Sequence, residues 1–412
     1  MRHIPTVLIL SFGSALALGL LMAAPSDAAA GTEGFLYGEV ETRSGNTYKG
    51  RLRWGDEEAF WGDFFNSSKD ERPWAEEAPR RFRGRREAIE IFGVEIGSRW
   101  EDWDGGRQFI APFGAIEELR IRGRGELTAR MKGDFEIRLD GGSNDIGAKV
   151  HVWDGSLGEI ALEWREIERI RFLPAPDDLD VGNVTRLYGT LHAHDGRIFK
   201  GWIQWDQDEC LSTDELDGET RDGDVEIEMG RIRSIERRSR WGSNVVLRDG
   251  RSMVLEGTND VDDDNRGIYV EDPKWGRVLV KWDAFDRLDF ESPQSSGPAY
   301  GDYPPGKPLR GTVETRGGDK LSGRIVFDLD ESESWEYLNG DYRDVEYSIP
   351  FYKIESIKPR GSRASLVTLR NGEEIELDDS ADVDDGNDGI AIVSSGDTDY
   401  IRWRDVEEIR FD

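Results

Sequence analysis

Cysteine, histidine and recognisable catalytic motifs are scarce in this chain of 412 residues. It has one cysteine, Cys210, and four histidines, and it contains no Gly-x-Ser-x-Gly or phosphate-binding glycine loop. One cysteine cannot form an internal disulfide, so packing or bound ions must stabilise the fold. Without a nucleophile and a base at a recognisable spacing, the sequence nominates no catalytic residue and predicts that the protein is not an enzyme.

Positive charge is also in short supply. The 54 lysines and arginines are outnumbered by 85 aspartates and glutamates, which gives a net charge of −31. Such a charge keeps a protein soluble and repels the phosphates of nucleic acid. The composition therefore argues against a nucleic-acid partner and leaves a protein or an envelope polymer as the expected partner.

Long apolar runs are missing beyond Ala24. The run from Val7 to Ala24 follows the basic Arg2 and precedes small residues at Ala28 and Ala30. A basic start, an apolar stretch and a small-residue cleavage site are typical of a secretory signal peptide. We therefore predict that the segment up to Ala30 is a signal peptide and that the protein is secreted or periplasmic. The alternative is that the run, which is nearly long enough to span a bilayer, stays uncleaved and anchors the chain in a membrane.

What the sequence does have is internal repetition. Three segments share one opening pattern and one closing pattern; they begin at Tyr37, Tyr188 and Arg310 and end at Phe172, Phe290 and Phe411. Three copies of one unit predict three domains, and the Pro, Gly and Ser of the second linker predict an exposed, extended spacer. The predicted boundaries are 1–30 for the signal peptide, 31–173 for domain 1 with an insertion at about 66–100, 174–186 for the first linker, 187–290 for domain 2, 291–308 for the second linker and 309–412 for domain 3.

Each copy also consists of two similar halves. Stretches such as "GRIVFDL" alternate polar and apolar residues, as a strand with one buried face does, and glycine-bearing turns in each half indicate hairpins. The closing pattern spaces apolar residues by three, as in Trp164, Ile167 and Ile170. That spacing predicts a strand end, one tight turn and a final strand. Trp164 and its counterparts Trp282 and Trp403 are expected in the core.

The second half of a copy resembles a known small barrel. The order V-x-L-R-[DN]-G at 245–250 and 367–372 is followed by an acidic loop, an asparagine and a strand that begins at Gly267 or Gly389. This order resembles the first motif of Sm-like proteins, and the closing strand, turn and strand are similar to the end of an SH3-like barrel. The resemblance implies an all-β fold of tandem small β-barrel-like repeats, in three copies of two halves each. A six-bladed propeller and three larger β-sandwich domains are the alternatives.

The insertion in copy one supplies two groups of candidate binding residues. Five arginines in an otherwise acidic protein favour an anion or a docking partner, unless they pair with the protein's own acidic surface; they are Arg80, Arg81, Arg83, Arg85 and Arg86. Four tryptophans that the other copies do not repeat are candidates for ligand stacking, unless they only pack; they are Trp61, Trp74, Trp100 and Trp103.

The acidic stretch "NDVDDDNRGIYV" at 259–270 raises the possibility of calcium. Asp260, Asp262 and Asp264 have the spacing of calcium-loop ligands, and copy three has Asp382 and Asp384 at the matching place. Position six of the loop holds an asparagine where a calcium loop requires glycine. The alternative is a repeated turn in which Asp and Asn side chains bond to nearby backbone and lead the chain into the third strand.

These observations favour an exported, non-catalytic β-repeat scaffold or binding protein of the cell envelope or extracellular space. One alternative is a hydrolase that acts on an envelope polymer through an acid pair. Another is a structural repeat protein stabilised by calcium, the only cofactor that the sequence suggests.

Overall fold

The structure is a computed structural model that describes residues 31–69, 90–91, 94–95, 107–133, 135–141, 145–394 and 397–412. Strands dominate it. Helical backbone in these residues is confined to 3₁₀ turns at Phe113–Ala115, Trp164–Glu166, Met229–Arg231, Tyr300–Asp302, Phe351–Lys353 and Trp403–Asp405. The predicted all-β class is confirmed. Across the described ranges, no helix is long and apolar enough to cross a membrane.

In the described ranges each copy contributes ten principal strands, and copies one, two and three are called domains 1, 2 and 3. Domain 1 contains β1 (Tyr37–Thr42), β2 (Thr47–Trp54), β3 (Phe64–Lys69), β6 (Arg107–Pro112), β7 (Ile116–Ile121), β8 (Glu126–Met131), β9 (Glu136–Asp140), β10 (Val150–Asp154), β11 (Gly158–Leu162) and β12 (Ile167–Phe172), and its insertion holds the short hairpin of β4 (Glu90–Ile91) and β5 (Val94–Glu95). Domain 2 contains β13 (Tyr188–Ala193), β14 (Ile198–Gln204), β15 (Glu215–Thr220), β16 (Gly223–Glu228), β17 (Ile232–Ser239), β18 (Gly242–Leu247), β19 (Ser252–Glu256), β20 (Ile268–Asp272), β21 (Gly276–Val280) and β22 (Phe285–Phe290). Domain 3 contains β23 (Arg310–Thr315), β24 (Lys320–Val326), β25 (Tyr337–Asp341), β26 (Val345–Pro350), β27 (Ile354–Pro359), β28 (Ala364–Leu369), β29 (Glu374–Asp378), β30 (Ile390–Ser394), β31 (Asp397–Ile401) and β32 (Val406–Phe411).

The two halves of each copy exchange strands. In domain 2, β14 of the first half pairs with β20 of the second, and β15 pairs with β19. The opening strand β13 pairs with the closing strand β22 of the other half, and β22 also pairs with β17. Domains 1 and 3 repeat this scheme, so that the strand order in domain 1 is β11-β10-β2-β1-β12-β7-β8-β9-β3-β6. Among the described pairings, neither half closes into a barrel of its own, and each half instead completes the sheet of the other.

The closing pattern has the predicted form. In domain 1, β11 ends at Leu162, the 3₁₀ turn Trp164–Glu166 follows, and β12 begins at Ile167. The spacing of three arises because the first residue of the turn and the first residue of the next strand are buried in the same core, as Trp164 and Ile167 are. Trp164, Trp282 and Trp403 are buried, as expected.

The insertion begins later than the sequence predicted. Lys69 of β3 lies opposite Arg107 of β6, so the extra residues occupy 70–106 rather than about 66–100. In domain 2 the equivalent strands β15 and β16 are joined by a tight turn between Thr220 and Gly223. The boundary was misplaced because "FFNSSK" alternates too weakly to identify Asn66 to Lys69 as the end of a strand.

The three domains pack against one another. β21 of domain 2 pairs with β26 of domain 3, and a small apolar cluster that includes Phe60 and Leu211 joins domains 1 and 2. The second linker is partly buried rather than an exposed spacer: Ser296 accepts a 2.8 Å hydrogen bond from the Gly34 amide of domain 1. Its proline, glycine and serine content predicts irregular backbone, but composition does not determine burial.

Candidate functional site

A cavity of about 1090 Å³ lies where the three domains and the second linker meet. Domain 1 contributes the start of β3, domain 2 contributes the turn between β20 and β21, and domain 3 contributes β25 and the 3₁₀ turn at Phe351–Lys353. The linker forms a further wall with Tyr303 and a run of prolines that follows it. A cavity of this size is in the range of ligand-binding sites, which favour domain interfaces.

Aromatic side chains from two domains form part of the cavity wall. The rings of Phe64 and Tyr337 lie 4.9 Å apart, at a tilted angle that suits aromatic pairs. Arg277 of domain 2 places its guanidinium 4.3 Å from the Phe64 ring and 3.6 Å from the Tyr269 ring. The cation therefore cross-links the domains through ring faces. Tyr352 is the most exposed aromatic residue of the lining.

Several charged groups of the cavity are already engaged with the protein, whereas Lys307 and Arg310, which also line it, are exposed. Glu271 pairs with Arg186, which also donates a 2.6 Å hydrogen bond to Asp63. Burial raises the pKa of Glu271, and the Arg186 charge opposes that shift. Lys353 donates to the carbonyl of Pro273. The cavity is therefore lined mainly for apolar contact, and exposed charged side chains such as Lys307 and Arg310 are available to orient a ligand.

A pair of carboxylates recurs at one position in every domain, and all of these side chains are buried except the half-buried Glu209. The glutamate lies four positions after the aromatic residue that ends or follows the second strand of the domain. The aspartate lies at the start of the acidic loop. The pairs are Glu58 with Asp145, Glu209 with Asp260, and Glu331 with Asp382. The aspartate always accepts a hydrogen bond from an amide of the third strand, as Asp260 Oδ2 does from Asp217 at 2.6 Å. These aspartates are predicted to bond to nearby backbone, but their partner amides lie 79, 43 and 43 positions away along the chain. The bonds that shape the turn itself come from other side chains of the loop.

The acidic stretch at 259–270 forms this turn. Asn265 and Asn387 accept 2.9 Å hydrogen bonds from the amides of Gly267 and Gly389, which have positive φ and open the next strand. Asp262 accepts from the Asp264 amide, so its carboxylate also serves the loop backbone. These bonds explain why the loop keeps its acidic and amide residues.

The structure does not gather the proposed calcium ligands as the sequence spacing suggested. Asp264 is exposed while Asp260 is buried, and the three aspartates of that stretch do not form a metal-sized group among the described residues. Asp384 accepts from the Gly386 amide. Asp382 instead joins Asp328 and Glu331, whose carboxylate oxygens lie within 4.8 Å of one another and of its own.

The candidates of the insertion lie largely outside the described residues; these are Arg80, Arg81, Arg83, Arg85, Arg86, Trp74, Trp100 and Trp103. Trp61 is described and precedes the insertion. It is fully buried between Phe172 and Tyr300, with ring centroids at 6.0 and 4.6 Å. It is therefore a core residue of domain 1 and has no exposed surface for ligand stacking.

Sequence reasoning missed Asp328, Glu331 and the two domain 1 cations that approach them. Lys69 lies 3.0 Å from Asp330 and 2.9 Å from Glu336, and Arg107 lies 2.6 Å from Asp328. The glutamate four positions after Trp54, Trp205 and Phe327 was a visible signal, because it is the same in all three copies. The cations had no such signal, since no other copy repeats them.

Comparison of the chain with protein-family models, with curated proteins and with solved structures gives no match. The resemblance to Sm-like and SH3-like barrels stays a prediction.

Proposed function

We propose that the protein is an exported, non-catalytic binding protein whose three domains form a scaffold around the cavity. The signal-peptide pattern that ends at Ala30 supports export, and the net charge of −31 supports a partner that is not itself strongly acidic. The observation that carries the proposal is the cavity at the three-domain junction. All three domains contribute residues to this cavity, so the site requires the domains to pack against one another.

The composition of the cavity favours a protein partner with an exposed apolar segment. Proline rings, Phe64, Tyr337 and Tyr352 offer apolar contact, while Glu271 and Lys353 are paired with the protein itself. A carbohydrate polymer would need many free polar groups for its hydroxyls, because each buried hydroxyl without a partner weakens binding. The preferred ligand is therefore an extended apolar peptide segment rather than an envelope polymer.

Binding is tested with immobilised peptide and glycan arrays probed with the fluorescently labelled protein. We expect apolar peptides to bind, and Tyr352→Ala to weaken binding about tenfold or more, since an aromatic anchor often contributes about 2 kcal/mol. Trp241→Ala is the matched control, because Trp241 is similarly exposed but does not line the cavity. Equal loss with both variants, or binding of glycans alone, would overturn the proposal.

Export is tested separately by the N-terminal sequence of the secreted product. Cleavage after Ala30 leaves Gly31 as the first residue. A product that retains the apolar run and remains in the membrane fraction supports the uncleaved anchor instead.

The hydrolase alternative rests on Glu271, whose pKa is raised by burial at the cavity wall. An acid with a raised pKa in a cleft is typical of a general acid, although the bond of the half-buried Glu271 to Arg186 favours a structural ion pair. Incubating the protein with peptidoglycan and polysaccharide substrates separates the two. Turnover that Glu271→Gln abolishes would replace the binding proposal with a hydrolase.

A further inference from the structure

The buried carboxylates of Asp328, Glu331 and Asp382 form a group that we name the domain 3 triad. Asp328 and Glu331 lie in the loop after β24, and Asp382 lies in the loop before β30. Their carboxylate oxygens lie within 4.8 Å of one another, and the three residues are 1%, 7% and 7% exposed. Three carboxylates that close together cannot all be ionised in a dry site without a compensating positive charge.

The protein supplies only part of that charge. Arg107 Nη1 lies 2.6 Å from Asp328 Oδ2 and shares its guanidinium with the half-buried Asp388. Asp382 accepts hydrogen bonds from the backbone and side-chain amides of Asn339, which are dipoles and carry no net charge. The other domain 1 cation, Lys69, pairs with Asp330 and Glu336. Arg107 and Lys69 together therefore face the triad and the further carboxylates Asp330, Glu336 and Asp388, so negative charge remains in excess.

Glu331 gives an independent indication of a ligand. Its Oε2 is buried and has no hydrogen-bond partner within the described part of the chain. A buried polar atom without a partner is costly and requires an explanation such as an ion. The unpartnered oxygen belongs to the side chain that lies between the other two acids in sequence and within ligand distance of both.

We propose that the domain 3 triad binds a divalent cation, with calcium as the preferred ion. All the candidate ligands are carboxylate oxygens, with no histidine or cysteine among them, which suits a hard cation. Calcium accepts irregular sets of mono- and bidentate carboxylates, whereas magnesium demands near-octahedral geometry. The double charge of the ion would offset part of the excess negative charge of this cluster.

The repeats explain why domain 3 is the place for this ion. The residue that matches Asp328 is Gly55 in domain 1, which removes one ligand. In domain 2 it is Asp206, whose Oδ2 is occupied by the Arg266 guanidinium and by the Asn259 amide. The corresponding acids of that domain do not form a metal-sized group within the described ranges. The cation would therefore bind where the third carboxylate is present and no arginine of the same domain covers it.

Domain 1 gathers a second group of carboxylates without the same indication of a ligand. The oxygens of Glu57, Glu58 and Asp145 also lie within 4.8 Å of one another. Glu57 is only half-buried, so solvent can share in stabilising the charge of this group. Among the described residues, the buried oxygens that lack a partner include none from these three side chains. Glu209 Oε2 of domain 2 is likewise buried without a partner, but its neighbouring acids do not form a metal-sized group in the described ranges. Among the groups that the described residues form, the domain 3 triad therefore combines three close carboxylates with an unpartnered oxygen.

The triad also lies behind the cavity wall. β25 carries Tyr337, which lines the cavity, and two positions later Asn339, which bonds to Asp382. A bound cation would fix this strand and the domain 1 cation Arg107 together. The site goes beyond the proposed binding function and does not depend on it.

The test is a calcium titration of the full chain after treatment with chelator. We expect isothermal titration calorimetry to find one bound calcium per chain and the melting temperature to rise with calcium. At a free calcium concentration 100 times Kd, the ratio of folded to unfolded protein rises about 100-fold. Crystals soaked in Mn²⁺ should show an anomalous difference peak between the three carboxylates.

Two matched variants locate the effect. Glu331→Gln removes one charged ligand while keeping the shape of the side chain, and it should abolish the calcium-dependent shift without unfolding the protein. Glu209→Gln changes the equivalent residue of domain 2 and should leave the calcium response intact. No heat and no shift in the wild type would overturn the proposal and leave a shared proton as the explanation of the triad. A response that survives Glu331→Gln would overturn it as well, by placing the ion elsewhere.

Discussion

Domains 2 and 3 neutralise the same buried acidic position in two different ways. In domain 2, Arg266 of the loop before β20 binds Asp206, whose side chain is fully buried. In domain 3 the residue that matches Arg266 is Asp388, and the cations come from domain 1 as Arg107 and Lys69. At this position domain 2 supplies its own counter-charge, whereas domain 3 depends on its neighbour. The same loop that is neutralised within domain 2 therefore contacts domain 1 in domain 3, although the fold of the two domains is the same.

The largest expected effect comes from Lys69→Met. Lys69 is 4% exposed, and the variant leaves Asp330 and Glu336 as buried carboxylates without their cation. Breaking one partner of a buried ion pair costs about 3–5 kcal/mol. Urea denaturation at pH 7 should show this loss in the free energy of unfolding.

The control for this variant is Lys320→Met, which removes an exposed pair with Glu314. It should change the free energy of unfolding by less than about 0.5 kcal/mol. A loss below about 1 kcal/mol for Lys69→Met would mean that domain 3 does not depend on the domain 1 cation.

Arg107→Gln should have the next largest effect. Burial lowers the pKa of the guanidinium, but the charges of Asp328, Asp330 and Asp388 outweigh that and raise it, so the cation is held firmly. Losing charged hydrogen bonds of this kind costs about 1.5–3 kcal/mol. In the same urea assay, an effect smaller than that of an exposed arginine such as Arg251→Gln would contradict the dependence of domain 3 on domain 1.

The raised pKa of Glu209 in domain 2 predicts a pH dependence of the free energy of unfolding. Burial and the neighbouring charges of Asp260 and Asp208 raise the pKa of Glu209 to about 9, from an ordinary value of 4.5. Between these values the folded state holds a proton that the unfolded state releases. The contribution of Glu209 to the free energy of unfolding therefore falls as the pH rises from about 5 to about 9 and is constant above that range.

Glu209→Gln should remove this dependence. At pH 9 the variant should be about 1–3 kcal/mol more stable than the wild type, because no charge has to be buried, and at pH 5 the two should be nearly equal. Urea denaturation at pH 5, 7 and 9 measures the difference, with the exposed Glu215→Gln as the control. Equal slopes for wild type and Glu209→Gln would mean that Glu209 titrates normally in the folded state.

Local features of the fold could be read from the sequence because each appears several times. Three features recur across copies. The alternation in "GWIQWDQ" forms a strand, and the spacing of Trp164, Ile167 and Ile170 forms the closing turn and strand. The asparagine two positions before Gly267 and Gly389 accepts a hydrogen bond from the amide of that glycine. Interactions between residues near in sequence determine these features. Comparing the three copies within one sequence is therefore enough to identify them.

Features that depend on contacts between distant parts of the chain could not be read in this way. The exchange of β14 and β20 between halves brings Ile203 opposite Val270, and the alternation pattern is the same for either partner strand. Lys69 and Arg107 have no counterpart in the other copies, and the acids they contact belong to another domain. Trp61 was misassigned because an unrepeated tryptophan in sequence gives no indication of its burial.

Arg266→Gln should have the smallest effect of the series. Asp206 would keep its hydrogen bonds from the Arg266 backbone amide and the Asn259 side chain, so its carboxylate is not left without partners. Arg266 is 44% exposed, and an ion pair open to solvent contributes about 1 kcal/mol or less. Urea denaturation in low and high salt should show a small loss that shrinks as salt screens the pair. A loss of unfolding free energy as large as that of Lys69→Met would mean that a cation within one domain stabilises the protein as much as a cation from a neighbouring domain. Domains 2 and 3 would then differ only in which domain supplies the cation.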